Sequence, residues 1–203
     1  MTSTYQMVDT QNMEKNTATQ ILDVAQEMVR NRGYSAFSYA DISKQVGIRK
    51  ASIHYHFSTK DELVKELVKR YREDMMRACD RISQSSLDLD QQVIQFANLY
   101  RNGLESQQIC LCAMLAADYA VLPQSVQNEI QTFFQVAEDW LSNLLQQGSD
   151  ARLWTCHPSA DQEAKGLIAM LQGAQLLARS QTNSTDTFEQ MVYPLLKAKF
   201  SKP

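Results

Sequence analysis

Apolar residues recur along this chain three and four positions apart, and no stretch alternates apolar and polar residues with the period of a strand. Six glycines and four prolines in 203 residues leave long segments without a breaker, so the pattern predicts an all-α protein of about nine helices. The first helix is expected from about Asn16 to Asn31, with Ile21, Leu22, Ala25, Met28 and Val29 on one face and Gly33 ending it. Residues 1–13 read as a disordered arm. Ser38 is placed to cap a short second helix holding Ile42 and Val46, and a third comes after Gly47 over about Arg49 to Tyr55. Thr59, with Glu62 three residues later, forms a near-complete capping box for a long fourth helix. Its stripe of Leu63, Val64, Leu67, Val68, Tyr71, Met75, Ala78 and Ile82 can leave a small head and reach a second body.

Polar turn formers at residues 83–90 interrupt the pattern. Beyond them helices are expected at about Gln91 to Glu105, Gln108 to Val121, Gln124 to Gln147, Ala160 to Ser180 and Thr185 to Lys199, with a loop from Gly148 to Pro158. The chain therefore divides into the arm (1–13), a head with its connecting helix (14–81) and a C-terminal body (82–203).

An apolar content of 44% suffices for a real core. No apolar run approaches the roughly 20 residues that span a bilayer, and the polar start has neither a basic flank nor an apolar signal core. A cytoplasmic protein without a membrane partner is expected. Cys79, Cys110, Cys112 and Cys156 are too scattered for a disulfide framework and read as reduced thiols. Cys156 and His157 lack the paired spacing of a zinc site, so neither a metal nor a cofactor is expected. The chain contains no glycine-rich phosphate loop, no H-E-x-x-H, no paired-carboxylate motif and no nucleophile elbow, which argues against an enzyme. The net charge of −3 is unevenly spread. Residues 14–81 hold 13 Lys/Arg against 10 Asp/Glu, a net of +3, while residues 82–203 hold 7 against 12, a net of −5. Positive charge gathers on the head, as suits an anion-binding unit on an acidic body.

Residues 46–63, VGIRKASIHYHFSTKDEL, concentrate that charge on a helix of barely two turns after a glycine turn. Helix, glycine-containing turn, helix is the layout of a helix-turn-helix, whose second helix enters the major groove of duplex DNA. Arg49 and Lys50 are placed to reach base edges, Ala51 and Ser52 permit close approach, and Tyr55 suits a thymine methyl or a phosphate. Ser38, Tyr39 and Lys60 sit at helix N-termini, where exposed amides already favour a phosphate. Ile42, Val46, Ile48, Ile53 and Phe57 fall on inward faces, and His56 is assigned to packing or a helix-terminus bond.

Residues 16–63 resemble the DNA-binding domain of the TetR family of bacterial repressors. The family's pattern stands here as Asp41-Ile42-Ser43, Gly47-Ile48, Arg49-Lys50-Ala51-Ser52-Ile53, His54-Tyr55-His56-Phe57 and Lys60-Asp61-Glu62-Leu63. The departure is His54, where the family usually has a phosphate-contacting tyrosine. Histidine can still donate to a phosphate, and does so more strongly when charged, which would make DNA affinity modestly dependent on pH.

A head this small binds DNA weakly alone, so a homodimer is expected. The small residues Gly166, Ala169, Gly173 and Ala174 and the stripe Phe188, Met191, Val192 and Leu195 are its candidates. The resemblance implies that these last two helices pair with their copies as a four-helix bundle. Phe96, Tyr100, Cys110, Met114, Tyr119, Phe133, Phe134, Trp140 and Met170 provide apolar walls with a few polar handles, as a small-molecule cavity needs and as an ordinary core also contains. The resemblance favours the cavity. It implies a repressor released from a palindromic DNA operator by a small apolar or aromatic effector.

Two alternatives stand beside it. One is a thiol-based electrophile or oxidant sensor acting through Cys110, although Cys110 and Cys112, two apart on a helix, would face apart and no basic residue lies nearby in sequence. The other is a helical adaptor that does not bind DNA.

Overall fold

The computed structural model describes the backbone of residues 3–200 and the side chains of residues 16–200. Among these residues there are nine α-helices and no strand. They are α1 (Ser3–Arg32), α2 (Tyr39–Val46), α3 (Lys50–His56), α4 (Lys60–Ser83), α5 (Leu89–Leu104), α6 (Leu111–Ala117), α7 (Gln124–Asp150), α8 (Ala160–Arg179) and α9 (Ser184–Phe200). A 3-10 turn, Tyr119–Val121, comes after α6.

The local signals act where they stand in the chain. Gly33, with φ of 83°, turns its N–H back to Val29 O at 2.8 Å and ends α1. Gly47 does the same for α2, with φ of 78° and its N–H on Ser43 O. Thr59 Oγ1 accepts from Glu62 N at 3.1 Å, while the Glu62 carboxylate reaches back to Ser58 N at 3.1 Å and Ser58 Oγ at 2.5 Å.

Three boundaries differ from expectation. Helix α1 begins at Ser3, so the backbone of the stretch expected as a disordered arm continues the helix; neither glycine nor proline occurs before Gly33 to stop it. Helix α6 starts at Leu111 rather than Gln108, because Cys110 N donates to the side chain of Gln175 at 2.7 Å and is held outside the helix. Helix α7 runs through Gly148 to Asp150. This glycine marks a close approach, not a stop. A Cβ there would lie 1.8 Å from the Trp154 ring, which is anchored by Nε1 on Leu145 O at 3.0 Å.

The apolar faces close into two cores. One joins Ile21, Ala25, Val29, Ile42, Ile53, Leu63 and Leu67 of α1–α4 to Leu115 of α6 and Ile130 and Phe133 of α7. The other joins Cys79 and Ile82 at the end of α4 to α5, the second half of α7, α8 and α9. Helix α4 serves both, so the sequence boundary near residue 82 is not a seam in the packing. No helix among the described residues is long and apolar enough to cross a membrane.

The glycines separate packing from conformational freedom. Gly148→Ala should lower the unfolding free energy by about 3 kcal/mol in a urea titration followed by circular dichroism, through overpacking against Trp154. Gly166→Ala, where an added Cβ meets nothing within 4 Å, should leave it unchanged or raise it by up to ~1 kcal/mol.

Candidate nucleic-acid interface and internal cavity

Helix α3 is anchored from below by Ile53, which is fully buried, and by Phe57 at its end. Ser43 Oγ donates to Ile48 O at 2.6 Å and fixes the turn that delivers it. Arg49, Lys50, Ala51, His54 and Tyr55 are exposed and Ser52 is half-buried, so the basic and aromatic residues share the outer side of one short helix. Tyr55 is 71% exposed, far more than packing requires of an aromatic ring. Val46 and Ile48 are only half-buried, at the edge of the core they were expected to fill.

The three residues expected at helix N-termini are engaged internally. Ser38 N and Oγ both donate to Asp41 Oδ2, at 2.8 and 2.7 Å, and hold that carboxyl below its usual range. Tyr39 Oη donates to Phe57 O at 2.9 Å, and its ring meets His54 edge-on at 4.8 Å. Burial, then the nearby Glu62 and Asp61 carboxylates, push the Tyr39 phenol to about 12, so it stays protonated. Lys60 Nζ donates to Tyr34 O at 2.6 Å and Phe37 O at 2.7 Å and sits over both rings at 4.3 and 4.2 Å. It is a clamp on the loop between α1 and α2, with one proton left to offer. These three, with Lys50 and His54, line a shallow hollow beside α2.

His54 Nδ1 lies 3.1 Å from Ser58 O. A carbonyl can only accept, so Nδ1 carries the proton and a neutral ring presents Nε2 as an acceptor. Only the doubly protonated ring can donate outward.

A second feature is a cleft among the helices that opens to solvent past Asp74, Asn102 and Ser106. A cavity of about 320 Å³ is lined by Arg30 of α1, Tyr71, Asp74, Met75 and Ala78 of α4, Leu99, Tyr100, Asn102 and Gly103 of α5, Ser106, Gln108 and Cys110 of the next loop, and Gln175 of α8. Gln175 is its hinge pin: Oε1 accepts from Cys110 N, and Nε2 donates to Tyr100 O at 2.5 Å. At Gly103 a Cβ would stand 2.6 Å from Gln108 O and 2.7 Å from Arg30 Nη2, so only glycine lets the loop and the arginine approach.

Of the nine residues expected around an effector, Tyr100 and Cys110 reach this cavity. Phe96 stacks on Trp140 at 5.2 Å, and Trp140 Nε1 donates to Ser83 Oγ. Phe133 stacks on Tyr71 at 5.4 Å and meets Phe134 edge-on. Met114 accepts from Arg179, Tyr119 Oη accepts from Gln131, and Met170 packs on the body core. These seven do not line this cavity and are engaged with neighbouring side chains instead. The cavity's polar lining was missed, since it is scattered over five segments and carries no local motif.

Cys110 also departs from expectation. Because it precedes α6, its sulfur meets that of Cys112 instead of facing away. Burial pushes the Cys110 thiol up, but the neighbouring Cys112 and Gln172 side chains and the amides of Ala113 and Cys112 favour the thiolate and bring it to about 6. Burial and its partner push Cys112 well up. All four cysteines are free.

The expected dimer residues split into two sets. Ala174, Phe188 and Val192 are buried in the chain's own core. Gly166, Ala169 and Gly173 of α8 and Met191 and Leu195 of α9 are exposed, together with Leu176 and Leu177 at 58% and 59%. Helix periodicity explains the split, since each stripe was read wider than the side that faces out.

Comparison with known proteins places this architecture. The family model for bacterial regulatory proteins of the tetR family matches residues 21–67. A TetR-family transcriptional regulator from Agrobacterium tumefaciens superposes with a TM-score of 0.87 at 32% identity, covering 93% of this chain and 100% of that one. A TetR transcriptional regulator from Legionella pneumophila superposes with a TM-score of 0.81 at 29% identity, over 88% of this chain and 94% of that one. The chain is 31% identical over 70 residues to the HTH-type transcriptional repressor KstR2 of Rhodococcus jostii, a match covering 34% of each chain. It spans 26% to 54% of the length of the curated relatives it matches. The chain belongs to the TetR family of bacterial regulatory proteins.

Lys60 is the structural test of the head. Lys60→Met, which keeps the stem and removes both bonds to the Tyr34 and Phe37 carbonyls, should destabilise the protein by about 2 kcal/mol in chemical denaturation, and Lys60→Arg by less.

Proposed function

We propose that this protein is a ligand-responsive transcriptional repressor. In this reading a homodimer places α3 of each protomer in successive major grooves of a palindromic duplex and lets go when a small molecule fills the cavity. The observation that carries it is shared structure: Arg30 and Tyr71, which line the cavity, belong to the helices whose apolar faces form the core under α3. A ligand there touches the elements that aim the reader.

Arg49 and Lys50 would reach base edges and Tyr55 a thymine methyl or phosphate, while the hollow bounded by Lys50, His54 and Lys60 would seat a backbone phosphate. The exposed stripe of Gly166, Ala169, Gly173, Leu176, Leu177, Met191 and Leu195 supports a seam between copies, with small residues allowing close helix approach and leucines supplying apolar area.

A second reading, release by a thiol-reactive compound, is supported by Cys110, which lines the cavity and whose polar neighbours favour the thiolate. N-Ethylmaleimide at pH 7 should then label Cys110 well before Cys79, whose thiol burial raises to about 12; equal labelling would count against it.

A gel shift on the DNA upstream of the protein's own coding region tests the main reading. A sequence-specific complex is expected, lost in Arg49→Ala/Lys50→Ala; no complex at any low salt would favour the helical adaptor. Leu177→Glu should give a monomer by sedimentation and weaken the complex at least about 100-fold through lost effective concentration. His54→Tyr, which supplies an outward hydroxyl where a ring with its Nδ1 proton on Ser58 O presents only an acceptor, should tighten binding about tenfold; no gain would remove His54 from the phosphate contact.

A further inference from the structure

We propose that the cavity selects a small organic carboxylate, a single ring or short branched chain bearing one acid group, held by Arg30 and Tyr100. This deepens the ligand-release reading and rests on it for its biological meaning.

Two donors point to an acceptor. Tyr100 lines the cavity, is buried, and its hydroxyl has no hydrogen-bond partner in the protein. A buried hydroxyl left alone is unfavourable, and a partner in the cavity relieves it. Burial, then the neighbouring Cys110, pushes the Tyr100 phenol well up, so it remains an O–H donor and its partner must accept.

Arg30 supplies the charge. Its Nε donates to Ile109 O at 2.8 Å, its guanidinium carbon lies 5.8 Å from the Tyr71 ring centre, and among the described residues no carboxylate forms an ion pair with it. Asp74 also lines the cavity, but its carboxylate is paired with Arg77 at 2.5 Å. With Cys110 in its thiol form, the lining carries an arginine whose terminal nitrogens remain for a ligand, and arginine matches a carboxylate with two parallel bonds; a Cys110 thiolate would share that charge.

The rest of the wall limits the body of the ligand that carries the acid group. Gln175 has both ends of its amide engaged by Cys110 N and Tyr100 O, so it has little to offer a ligand. Met75, Ala78 and Leu99 are apolar, while the polar Asn102, Ser106 and Gln108 lie toward the solvent-exposed side. About 320 Å³ lies at the small end of ligand sites, which fits one ring rather than a fused system. A carboxylate taken by the terminal nitrogens leaves Nε on Ile109 O, so the ligand shares one guanidinium with the tie between α1 and the loop before α6.

The full-length protein, without DNA, is titrated by calorimetry and thermal melting with benzoate, phenylacetate, cyclohexanecarboxylate and isovalerate, each beside its primary amide. At least one acid should bind at least about tenfold more tightly than its amide, the worth of one charge-assisted bond. Tyr100→Phe should weaken that acid about tenfold, and Arg30→Met should abolish the preference over the amide. If Arg30→Met does not fold, Tyr100→Phe and the acid–amide ratio still decide. Amides that match their acids, no binding by any acid, or undiminished binding to Tyr100→Phe would each overturn the proposal. Because no DNA is present, acid binding by a protein that fails the gel shift would sink the repressor reading alone, and a good gel shift without acid preference would sink this one alone.

Discussion

A head of about 50 residues cannot close its own core, and the rest of the structure depends on that constraint. Ile21, Val29, Ile53 and Leu67 are completely buried in an apolar cluster that also takes in Leu115, Ile130 and Phe133 from beyond residue 82. Burial is non-directional and does not by itself set how the head sits. Polar pins do so. Arg70 bonds Asp23 at 2.8 Å between α4 and α1, Arg30 bonds Ile109 O, and Arg179 at the end of α8 bonds Asn31 O at 2.8 Å in the last turn of α1. The orientation of α3 is thus held by a few directional contacts laid over a greasy joint.

Those contacts differ in how well they are satisfied. The Gln175 amide makes both of its bonds inside the protein and ties α8 to α5 and to the chain before α6, so that part of the body is stiff. Between α4 and α7, Arg72 and Glu129 approach to 3.3 Å in a partly buried setting, yet Arg72 Nε and Glu129 Oε2 have no hydrogen-bond partner. A misaligned pair forfeits much of what desolvating it costs. The polar contact between α4 and α7 therefore contributes less than the Gln175 bonds do between α8 and α5, and α4 and α7 are held chiefly by apolar packing such as Tyr71 on Phe133.

What was legible in the sequence was local. The capped start at Thr59, the glycine turns at Gly33 and Gly47 and the basic run after Gly47 act within a few residues of themselves, and their chemistry can be read without a partner. The cavity was illegible for the opposite reason. Arg30, Tyr71, Tyr100 and Gln175 come from four helices, and nothing in the neighbourhood of any one says that the others converge on it. Aromatic richness pointed away from this cavity, because Phe96, Trp140 and Phe133 stack on neighbouring rings instead of lining it. Gly148 and Cys110 misled differently. A glycine near a helix end reads as a stop until Trp154 is seen lying on it, and two cysteines two apart face away only if both are helical.

Helix α8 shows how these parts combine. One side presents Gly166, Ala169, Gly173 and Leu177 outward, with open space where the glycines would carry a Cβ. The other turns Gln175 into the cavity wall and Arg179 to the end of α1. Residues 175 and 179 are one turn apart, so cavity and head are read by adjacent turns of one rod. In the proposed dimer a second copy would hold that outer side, and a ligand drawing on Arg30 would then act first on α1, whose end is held by Arg179 and whose side is tied to the loop before α6. Because α1 packs on α2 and α3, a displacement of its C-terminal turn would be felt at α3 through contacts already buried.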